Sequence, residues 1–435
     1  SAPSSRAAAA AAAAAALLLG AAAPAARAIP AQFRGVGAIR VSLVVVGDWG
    51  RQGADQDPAA RENQTRVAAG MATFAENQAN LGAAWFPVSV GDNFYQNGLI
   101  NGDHAEFTES FTNVYSAPVM QGKRWDVIMG NHDFRGNISA QFDSVAQLKD
   151  ARWHAALFEI ANYTSADESV IVWAVHIDTN VLISDYLYCP GTHTYDFQGI
   201  GGPPFARSDS VSSYRASVEA WRAGTLARID DLLARAAESM RLSALQGKTT
   251  WLLAFGHHPI RSHSHHGDSI DLLNDVDELL WKHGVDAYIN GHDHDLQLIT
   301  RPYCCAVDEY TLGGNTLAEF LADGFDEDVR CIAEGIPTAK YTDPAAAPYF
   351  VPDGTSVTLP NQPKGRDMLY ITTGAGSETR QSSHPDEPLP EQDAYGSFFH
   401  PGPGFLTVEA EGFGMRFVLR DAEAAELHHR VITKT

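Results

Sequence analysis

Residues 41–50 read VSLVVVGDWG, a run rich in β-branched residues that ends in a glycine and an aspartate. Such a run is typical of a strand buried on both faces, and GDWG at 47–50 predicts the turn that ends it. The same succession of apolar run, glycine and polar side chain occurs four more times along the chain. The other four predicted strands cover residues 85–90, 125–129, 250–255 and 287–290.

Helical patterns lie between these strands, so strand, loop and helix alternate along most of the chain. This alternation predicts an α/β fold with covered sheet faces, in which ligands bind beyond the carboxyl ends of the strands. Residues 169–176 and 181–184 are expected to pair as strands, and further strands are expected at 296–301, at 368–373 and near the C-terminus. The predicted helices cover residues 58–79, 104–115, 139–161, 214–245 and 270–282.

Seven side chains that suit metal ions follow these five strands. Asp92 and Tyr95 are three residues apart in one loop, so a single turn can bring both to a common point. His292 and His294 alternate across one residue, which places both on the same side of an extended segment. The candidate ligands are Asp48, Asp92, Tyr95, Asn131, His257, His292 and His294.

The chemical types of these ligands indicate two unlike metal ions. Carboxylate, phenolate and imidazole together suit a hard trivalent ion beside a softer divalent one. Tyr95 is the most selective, because a phenol has a pKa of about 10 and a trivalent iron can drive its ionisation. Asp92 could bridge the two ions, and the neutral oxygen of Asn131 favours the divalent one. Taken singly, each residue is an ordinary turn or core residue; the combination favours a metal site.

Composition limits the classes of partner. The chain has 435 residues, a formal net charge of −22 and an isoelectric point of about 5.1. This charge disfavours non-specific binding to nucleic acid or to an anionic membrane surface. An anionic substrate would need a local positive site, which bound metal ions could supply. No apolar stretch has the length of a membrane span.

Two segments differ from the rest of the chain. Residues 1–35 combine Arg6, an Ala- and Leu-rich run and a small-residue end, which predicts a signal peptide and a secreted or vacuolar-lysosomal protein. An Ala-rich tail or an organelle transit peptide is the alternative. Residues 36–435 are expected to form a single domain. Residues 303–367, rich in Pro and Gly, are expected to be an insertion between two strands of its core.

Sequons and cysteines agree with a secretory route without establishing it. Three Asn-x-Ser/Thr sequons, at Asn63, Asn137 and Asn162, predict a glycoprotein. The four cysteines contain no CxxC motif, so neither a zinc ribbon nor a thioredoxin-type site is indicated. The four cysteines could form two disulfides, whose pairing the sequence does not determine, or remain four reduced thiols. The cysteines are Cys189, Cys304, Cys305 and Cys331.

The motifs, in this order, resemble those of the purple acid phosphatases within the metallophosphoesterase superfamily, and most closely the small tartrate-resistant type. They are GDWG (47–50), GDNFY (91–95), GNHD (130–133), GHHP (256–259) and GHDH (291–294). The resemblance runs from about residue 41 to residue 301 and resumes at residue 368. It implies a four-layer αββα sandwich with two mixed β-sheets. The insertion at 303–367 has no counterpart in the small members.

The resemblance also implies a role for each candidate residue. His132 would lie near the leaving group. His266 would face the substrate, although His263 and His265 compete for that position in the same loop. Fe(III) would be held by Asp48, Tyr95 and His294, with Asp92 as the bridge, and a divalent iron, zinc or manganese ion by Asn131, His257 and His292.

These roles imply an acid phosphatase that hydrolyses phosphate monoesters. A metal-bound hydroxide would attack phosphorus in line, and His132 or His266 would protonate the leaving group. Because a histidine must carry that proton, an acidic optimum is expected. Small phosphate esters are the expected substrates, and phosphoproteins are a further candidate class. The alternatives are a phosphodiesterase or pyrophosphatase with the same centre, and a non-catalytic phosphate-binding protein.

Overall fold

Two seven-stranded β-sheets lie face to face in the structure, which is a computed structural model. It describes residues 41–183, 186, 211–264, 266–302, 367–379, 397–412 and 414–434. The predicted leader, all four cysteines and residues 303–366 of the predicted insertion lie outside these ranges. The predicted boundaries of domain and insertion therefore stay predictions.

The strands are numbered in chain order. They are β1 (Val41–Val46), β2 (Ala84–Ser89), β3 (Trp125–Val127), β4 (Trp153–Ala155), β5 (Phe158–Thr164), β6 (Val170–Ile177), β7 (Thr249–Phe255), β8 (Ala287–Asn290), β9 (Leu296–Pro302), β10 (Asp367–Thr373), β11 (Phe398–His400), β12 (Gly404–Glu411), β13 (Gly414–Asp421) and β14 (Glu426–Thr433).

Both sheets are mixed. The first has the order β14-β13-β12-β1-β2-β3-β4 and the second β11-β9-β10-β8-β7-β6-β5. In the first sheet β1 to β4 are parallel neighbours, and β12 to β14 add an antiparallel half. In the second sheet β6, β7, β8 and β10 are parallel, with β5 and β9 antiparallel at their two sides.

The helices cover the outer faces of the sheets. Helix α1 starts where the Asp57 side chain accepts a hydrogen bond from the Ala59 N–H, with Pro58 at its first position. None of the described helices is both long enough and apolar enough to cross a membrane. The helices are α1 (Pro58–Asn80), α2 (Asn131–Arg135), α3 (Asp143–Ala146), α4 (Val211–Leu245), α5 (Ile270–Asp275) and α6 (Asp277–Lys282).

Alternate residues of the central strands pack into different cores. In β7, Leu253 faces the other sheet, whereas Leu252 packs in the core that contains residues of α4, α5 and α6. In β1, Val45 faces the other sheet, whereas Val44 packs in the core that contains residues of α1. Helix, sheet, sheet and helix therefore form four layers, and the expected sandwich is confirmed. Because both faces of these strands are buried, their sequences are largely apolar, and the buried hydroxyl of Ser42 in β1 donates to the Gln78 side chain at 3.1 Å.

The expected helix at 139–161 is wrong over most of its length. Short helices cover Ile138–Gln141 and α3, but the segment then forms β4 and β5. Its residues have reasonable helix propensity, yet propensity is a weak term where a segment can pair with an existing strand. Trp153 pairs with Trp125 of β3 and is fully buried. Since β4 is the edge of one sheet and β5 the edge of the other, this segment carries the chain between the sheets.

The expected strand at 181–184 is also wrong over its described part, residues 181–183. β6 pairs with β5, and Asn180–Leu182 forms a 3₁₀ helix. The Asp178 side chain accepts hydrogen bonds from the backbone N–H and the side-chain amide of Asn180, which favours a turn over an extended strand. The expected helix at 270–282 is split into α5 and α6, and the one at 104–115 contains a π-helical segment, Phe107–Thr112.

Candidate metal centre

Five strand ends bring all seven candidate ligands into one cluster. Strands β1, β2 and β3 are parallel neighbours in the first sheet, and β7 and β8 in the second. Side chains from both sheets meet beyond the carboxyl ends of these strands. Asp48 follows β1, Asp92 and Tyr95 follow β2, Asn131 follows β3, His257 follows β7, and His292 and His294 follow β8.

One half of the cluster surrounds the buried hydroxyl of Tyr95. The hydroxyl oxygen lies 2.9 Å from Asp48 Oδ1, 2.8 Å from Asp92 Oδ2 and 3.1 Å from His294 Nε2. A hydroxyl carries one proton, so it can donate to only one of the two carboxylates. These oxygen and nitrogen atoms could therefore bind a cation together. The cation would satisfy the carboxylate oxygen that receives no proton from Tyr95.

The other half of the cluster surrounds the fully buried ring of His257. Its Nδ1–H donates to the Val90 carbonyl at 2.9 Å, which leaves Nε2 with a lone pair. This Nε2 lies 3.1 Å from Asn131 Oδ1 and 3.4 Å from Asp92 Oδ1, and the ring centre of His292 lies 5.2 Å away from that of His257. Lone-pair atoms that face one another also fit a cation, and imidazole nitrogens suit a divalent transition ion.

Asp92 connects the two halves. Its Oδ2 faces the Tyr95 hydroxyl, and its Oδ1 faces Nε2 of His257. The backbone N–H of His132 donates to Asp92 Oδ1 at 2.9 Å and so fixes the orientation of the carboxylate. A carboxylate in this position can present one oxygen to each of two ions.

Three of the candidate ligands have a backbone conformation that L-residues rarely adopt. The φ angles are 60° at Asp48, 51° at Asp92 and 71° at His292, and each residue follows the glycine of its motif. Among the described residues only five other than glycine have positive φ. The left-handed conformation costs such a residue about 1–2 kcal/mol. Strain of this kind is concentrated at functional sites, where the surrounding fold holds it in place.

Glycines at the start of the motifs permit the close approach of the strand ends. A Cβ atom at Gly130 would lie 2.1 Å from Asp92 Oδ1, and one at Gly291 would lie 2.4 Å from Asp48 Oδ2. Neither distance is compatible with non-bonded atoms. Both positions therefore need glycine if the two carboxylates are to stay in the cluster.

Burial strongly perturbs the protonation of the cluster. Burial raises the pKa of Asp48 well above its usual value, and the nearby Asp92 carboxylate contributes. Burial also raises the pKa of Tyr95, again with both carboxylates contributing. Burial lowers the pKa of His292 far below its usual value, with His266 as the next cause. The His292 imidazole is thus kept neutral, as metal ligation requires.

His132 lies beside the Tyr95 half. Its ring centre is 4.3 Å from that of Tyr95, and its Nε2 is 3.8 Å from Asp92 Oδ2. Its Nδ1 lies 2.7 Å from the Gln96 carbonyl and 2.9 Å from the Arg135 guanidinium, so Nε2 is the nitrogen left for a ligand. Burial lowers the pKa of His132 to about 4; Arg135 acts in the same direction and Asp92 opposes it.

His266 adjoins the other half of the cluster through His292, with ring centres 4.2 Å apart. Its loop is held in place because Arg261, which is buried, donates to Asp268 at 2.9 Å. His266 therefore lies beside His292 at the edge of the cluster. His265, one of its two competitors, lies outside the described residues.

Two supporting residues within the motifs were not predicted. Asn93 donates to Asp133 from its backbone N–H at 3.1 Å and from its side-chain amide at 3.0 Å. Asp133 also accepts from the N–H of Gly130 at 2.8 Å. These bonds tie the loop of Asp92 to the loop of Asn131. The position of both residues inside motifs indicates a role at the site, but their pairing becomes visible only in the fold.

His258 also lies at the cluster, where His257, His258 and His292 have possible ligand atoms within 4.8 Å of one another, but both of its ring nitrogens meet hydroxyl groups. Its Nδ1 lies 2.8 Å from the Thr179 hydroxyl, and its Nε2 lies 2.9 Å from the Tyr186 hydroxyl. Thr179 also accepts hydrogen bonds from the backbone N–H groups of His257 and His258. Thr179 therefore holds the segment after β7 that carries His257, and it also contacts the ring of His258.

A second group of histidine and carboxylates is found where the sheets meet at β4 and β5. Asp126, His154 and Glu159 have possible ligand atoms within 4.8 Å of one another. Arg124 pairs with Asp126 at 2.7 Å and with Glu159 at 3.3 Å, and His154 pairs with Glu159 at 2.9 Å. The carboxylates are thus already neutralised by protein groups, and this cluster is an ion-pair network.

Residues 41–296, over half of the chain, match the family model of the calcineurin-like phosphoesterases. The chain therefore belongs to this family, and the predicted superfamily is confirmed. Purple acid phosphatase 17 of Arabidopsis thaliana is 35% identical over 257 residues, which are 59% of this chain and 63% of that protein. Tartrate-resistant acid phosphatase type 5 of Sus scrofa is 31% identical over 259 residues, 59% of this chain and 65% of that protein. The chain therefore spans less than two thirds of these curated relatives.

A solved structure of similar fold is GAP50, described as the anchor in the inner membrane complex of Plasmodium. The TM-score is 0.55 at 17% sequence identity, and the match covers 91% of this chain and 90% of that one. At this identity the similarity shows the fold alone.

Replacing Gly130 with Ala is expected to weaken binding of Zn²⁺ to the purified protein about tenfold or more, because the added methyl group would displace Asp92. Isothermal titration calorimetry measures this affinity. Gly224→Ala is the matched control, since a Cβ atom at Gly224 in α4 would meet nothing within 4 Å. Equal affinities of the two variants would contradict the packing role of Gly130.

Proposed function

We propose that this chain is an acid phosphatase that hydrolyses phosphate monoesters at a binuclear metal centre. The main observation that supports the proposal is the position of the Asp92 carboxylate. One of its oxygens faces the candidate metal ligands around Tyr95, and the other faces those around His257. Pairs of metal ions about 3.5–4 Å apart are used to hydrolyse phosphate esters. A carboxylate that presents one oxygen to each of two groups of ligand atoms would suit such a pair.

The donors of the two halves support different ions. The Tyr95 half has a phenol and two carboxylates, which suit Fe(III), and this half is proposed to hold it. The His257 half has imidazoles and a neutral amide oxygen, which suit a divalent iron, zinc or manganese ion. The proposed Fe(III) ligands are Asp48, Asp92, Tyr95 and His294, and the proposed ligands of the divalent ion are Asp92, Asn131, His257 and His292.

The protein groups around the ions are proposed to orient the substrate and to move a proton. When bound, the metal pair supplies positive charge that neutralises phosphate oxygens and lowers the pKa of a water molecule. His132, held through Nδ1 by the Gln96 carbonyl, presents Nε2 on the Asp92 side of the cluster. From there it can give a proton to the leaving oxygen. His266, which is exposed, is the second candidate donor.

The named relatives support phosphatase activity, because they are purple acid phosphatases and tartrate-resistant acid phosphatases. Small phosphate esters are the proposed substrates, and phosphoproteins a further class. Diesters and pyrophosphate are the alternative, since the walls around a site and not its metal ligands set ester preference. Binding of phosphate without turnover is the non-enzymatic alternative.

The location of the protein is also part of the proposal. Residues 1–35 are proposed to direct the chain to the secretory pathway, with a secreted or vacuolar-lysosomal destination, and residues 36–435 to form one domain. Asn162 is exposed on the edge strand β5, where a glycan would be accessible to solvent. Its exposure supports the proposal of a glycoprotein.

The full chain is expected to hydrolyse p-nitrophenyl phosphate with an acidic optimum, and faster than bis(p-nitrophenyl) phosphate or pyrophosphate. Asp92→Asn should lower kcat/KM by more than about 100-fold, since losing a ligand costs more than losing a group that only orients one. Asp126→Asn replaces another buried carboxylate, outside the cluster, and should leave turnover unchanged. Unchanged turnover in Asp92→Asn would contradict the site, and a preference for the diester would favour the alternative reaction.

His132→Ala is expected to slow hydrolysis of alkyl phosphates by about 10²–10⁴-fold, the usual range for loss of a proton donor. The loss should be much smaller for p-nitrophenyl phosphate, because nitrophenolate leaves without a proton. Comparing kcat for both esters measures the difference, with the exposed His429→Ala as the control and His266→Ala as the competing donor. Equal losses for both esters would indicate that His132 positions other groups and donates no proton.

A further inference from the structure

A buried arginine lies against the ring of Tyr95. Arg51 directly follows the GDWG motif and is 2% exposed. Its guanidinium carbon lies 3.6 Å from the centre of the Tyr95 ring. The hydroxyl of Tyr95, in the plane of that ring, meets Asp48, Asp92 and His294. The phenol is thus contacted by a cation on its face and by the proposed iron ligands at its oxygen.

Arg51 is held in this position from two sides. Its Nη2 pairs with Glu378 at 2.7 Å, and its Nη1 donates to the Gln56 side chain at 3.2 Å. Gln56 in turn donates to the backbone carbonyl of Tyr95 at 3.3 Å. The stacking is therefore enforced by hydrogen bonds and is not an incidental contact of a mobile side chain.

The position of this charge has an electrostatic consequence. A cation over an aromatic face is attracted to the ring by about 0.5–2 kcal/mol, at the upper end when both are desolvated. The attraction is stronger for a phenolate, which carries negative charge on the ring and oxygen, and a buried site screens it weakly. The positive charge of Arg51 therefore stabilises the electrons of the Tyr95 phenolate. Its effect on the electrons of a metal ion bound at the phenolate oxygen is smaller.

We propose that Arg51 is a positioning residue that orients the Tyr95 ring and tunes the electron donation of its oxygen to the bound Fe(III). This inference rests on the proposed assignment of Tyr95 to iron. It assigns to Arg51 a role that contact with substrate does not explain, since the guanidinium is buried beneath the ring. The expected signature is the energy of the phenolate-to-iron charge-transfer band, which Arg51 shifts to shorter wavelength.

Glu378 provides a test of opposite sign. Its carboxylate is the counter-charge of Arg51, and its side chain is 33% exposed. Glu378→Gln removes the negative charge but keeps an oxygen that accepts from Arg51, so the positive charge on the ring face becomes less compensated. The band should then move to shorter wavelength, by less than the shift from losing Arg51, because solvent screens the exposed carboxylate.

The experiment records the visible spectrum and the iron content of the full chain and of three variants. Arg51→Met, which keeps the volume and removes the charge, should move the band maximum to longer wavelength. Glu378→Gln should move it to shorter wavelength, and Arg51→Lys, which keeps the charge without the planar stacking, should lie between wild type and Arg51→Met. Each variant is compared at equal iron content.

The outcomes separate this inference from the proposed function. A coloured wild type whose maximum stays the same in Arg51→Met and Glu378→Gln, or moves in the same direction in both, would overturn the inference alone. A colourless wild type at full iron content would overturn the iron assignment and the inference with it. If Arg51→Met does not fold, the direction of the band shift in Glu378→Gln still tests the inference. A shift to shorter wavelength supports it, and an unchanged band or a shift to longer wavelength overturns it.

Discussion

The contact between Asp92 and His257 is the interaction on which the site depends, because it joins the two sheets. Asp92 follows β2 of the first sheet and His257 follows β7 of the second. Their polar atoms are 3.4 Å apart, and both side chains are buried. A small shift of one sheet over the other would separate them. The packed core between the sheets, which includes Leu43 and Leu253, therefore determines the geometry of the site as well as the stability of the fold.

Formation of this cluster requires a strained backbone at three ligands and places two buried carboxylates close together. The left-handed conformations of Asp48, Asp92 and His292 each cost about 1–2 kcal/mol, which is a large share of a typical unfolding free energy of about 5–15 kcal/mol. The two buried carboxylates add repulsion to this strain. An ion that binds only the folded chain would offset these costs by mass action. Metal binding and folding stability are therefore expected to be coupled in this protein.

The parts of the structure that follow from local patterns could be predicted from the sequence. Runs such as 41–46 are apolar because both faces of the strand are buried, and the polar residue after each run lies at the sheet edge where ligands bind. The segment 139–161 could not be predicted, because strand pairing at Trp153 outweighs its helix propensity. Arg51 was missed for a similar reason, since its stacking on Tyr95 depends on how two loops meet in space.

The most direct test of a binuclear centre is an anomalous-difference map from crystals of the metal-loaded protein. Two peaks about 3.5–4 Å apart are expected, one beside Tyr95 and one beside His257, with the Asp92 carboxylate between them. A single peak would contradict the assignment of two halves. Two peaks elsewhere, for example at the ion-pair network of Asp126, would contradict the site itself.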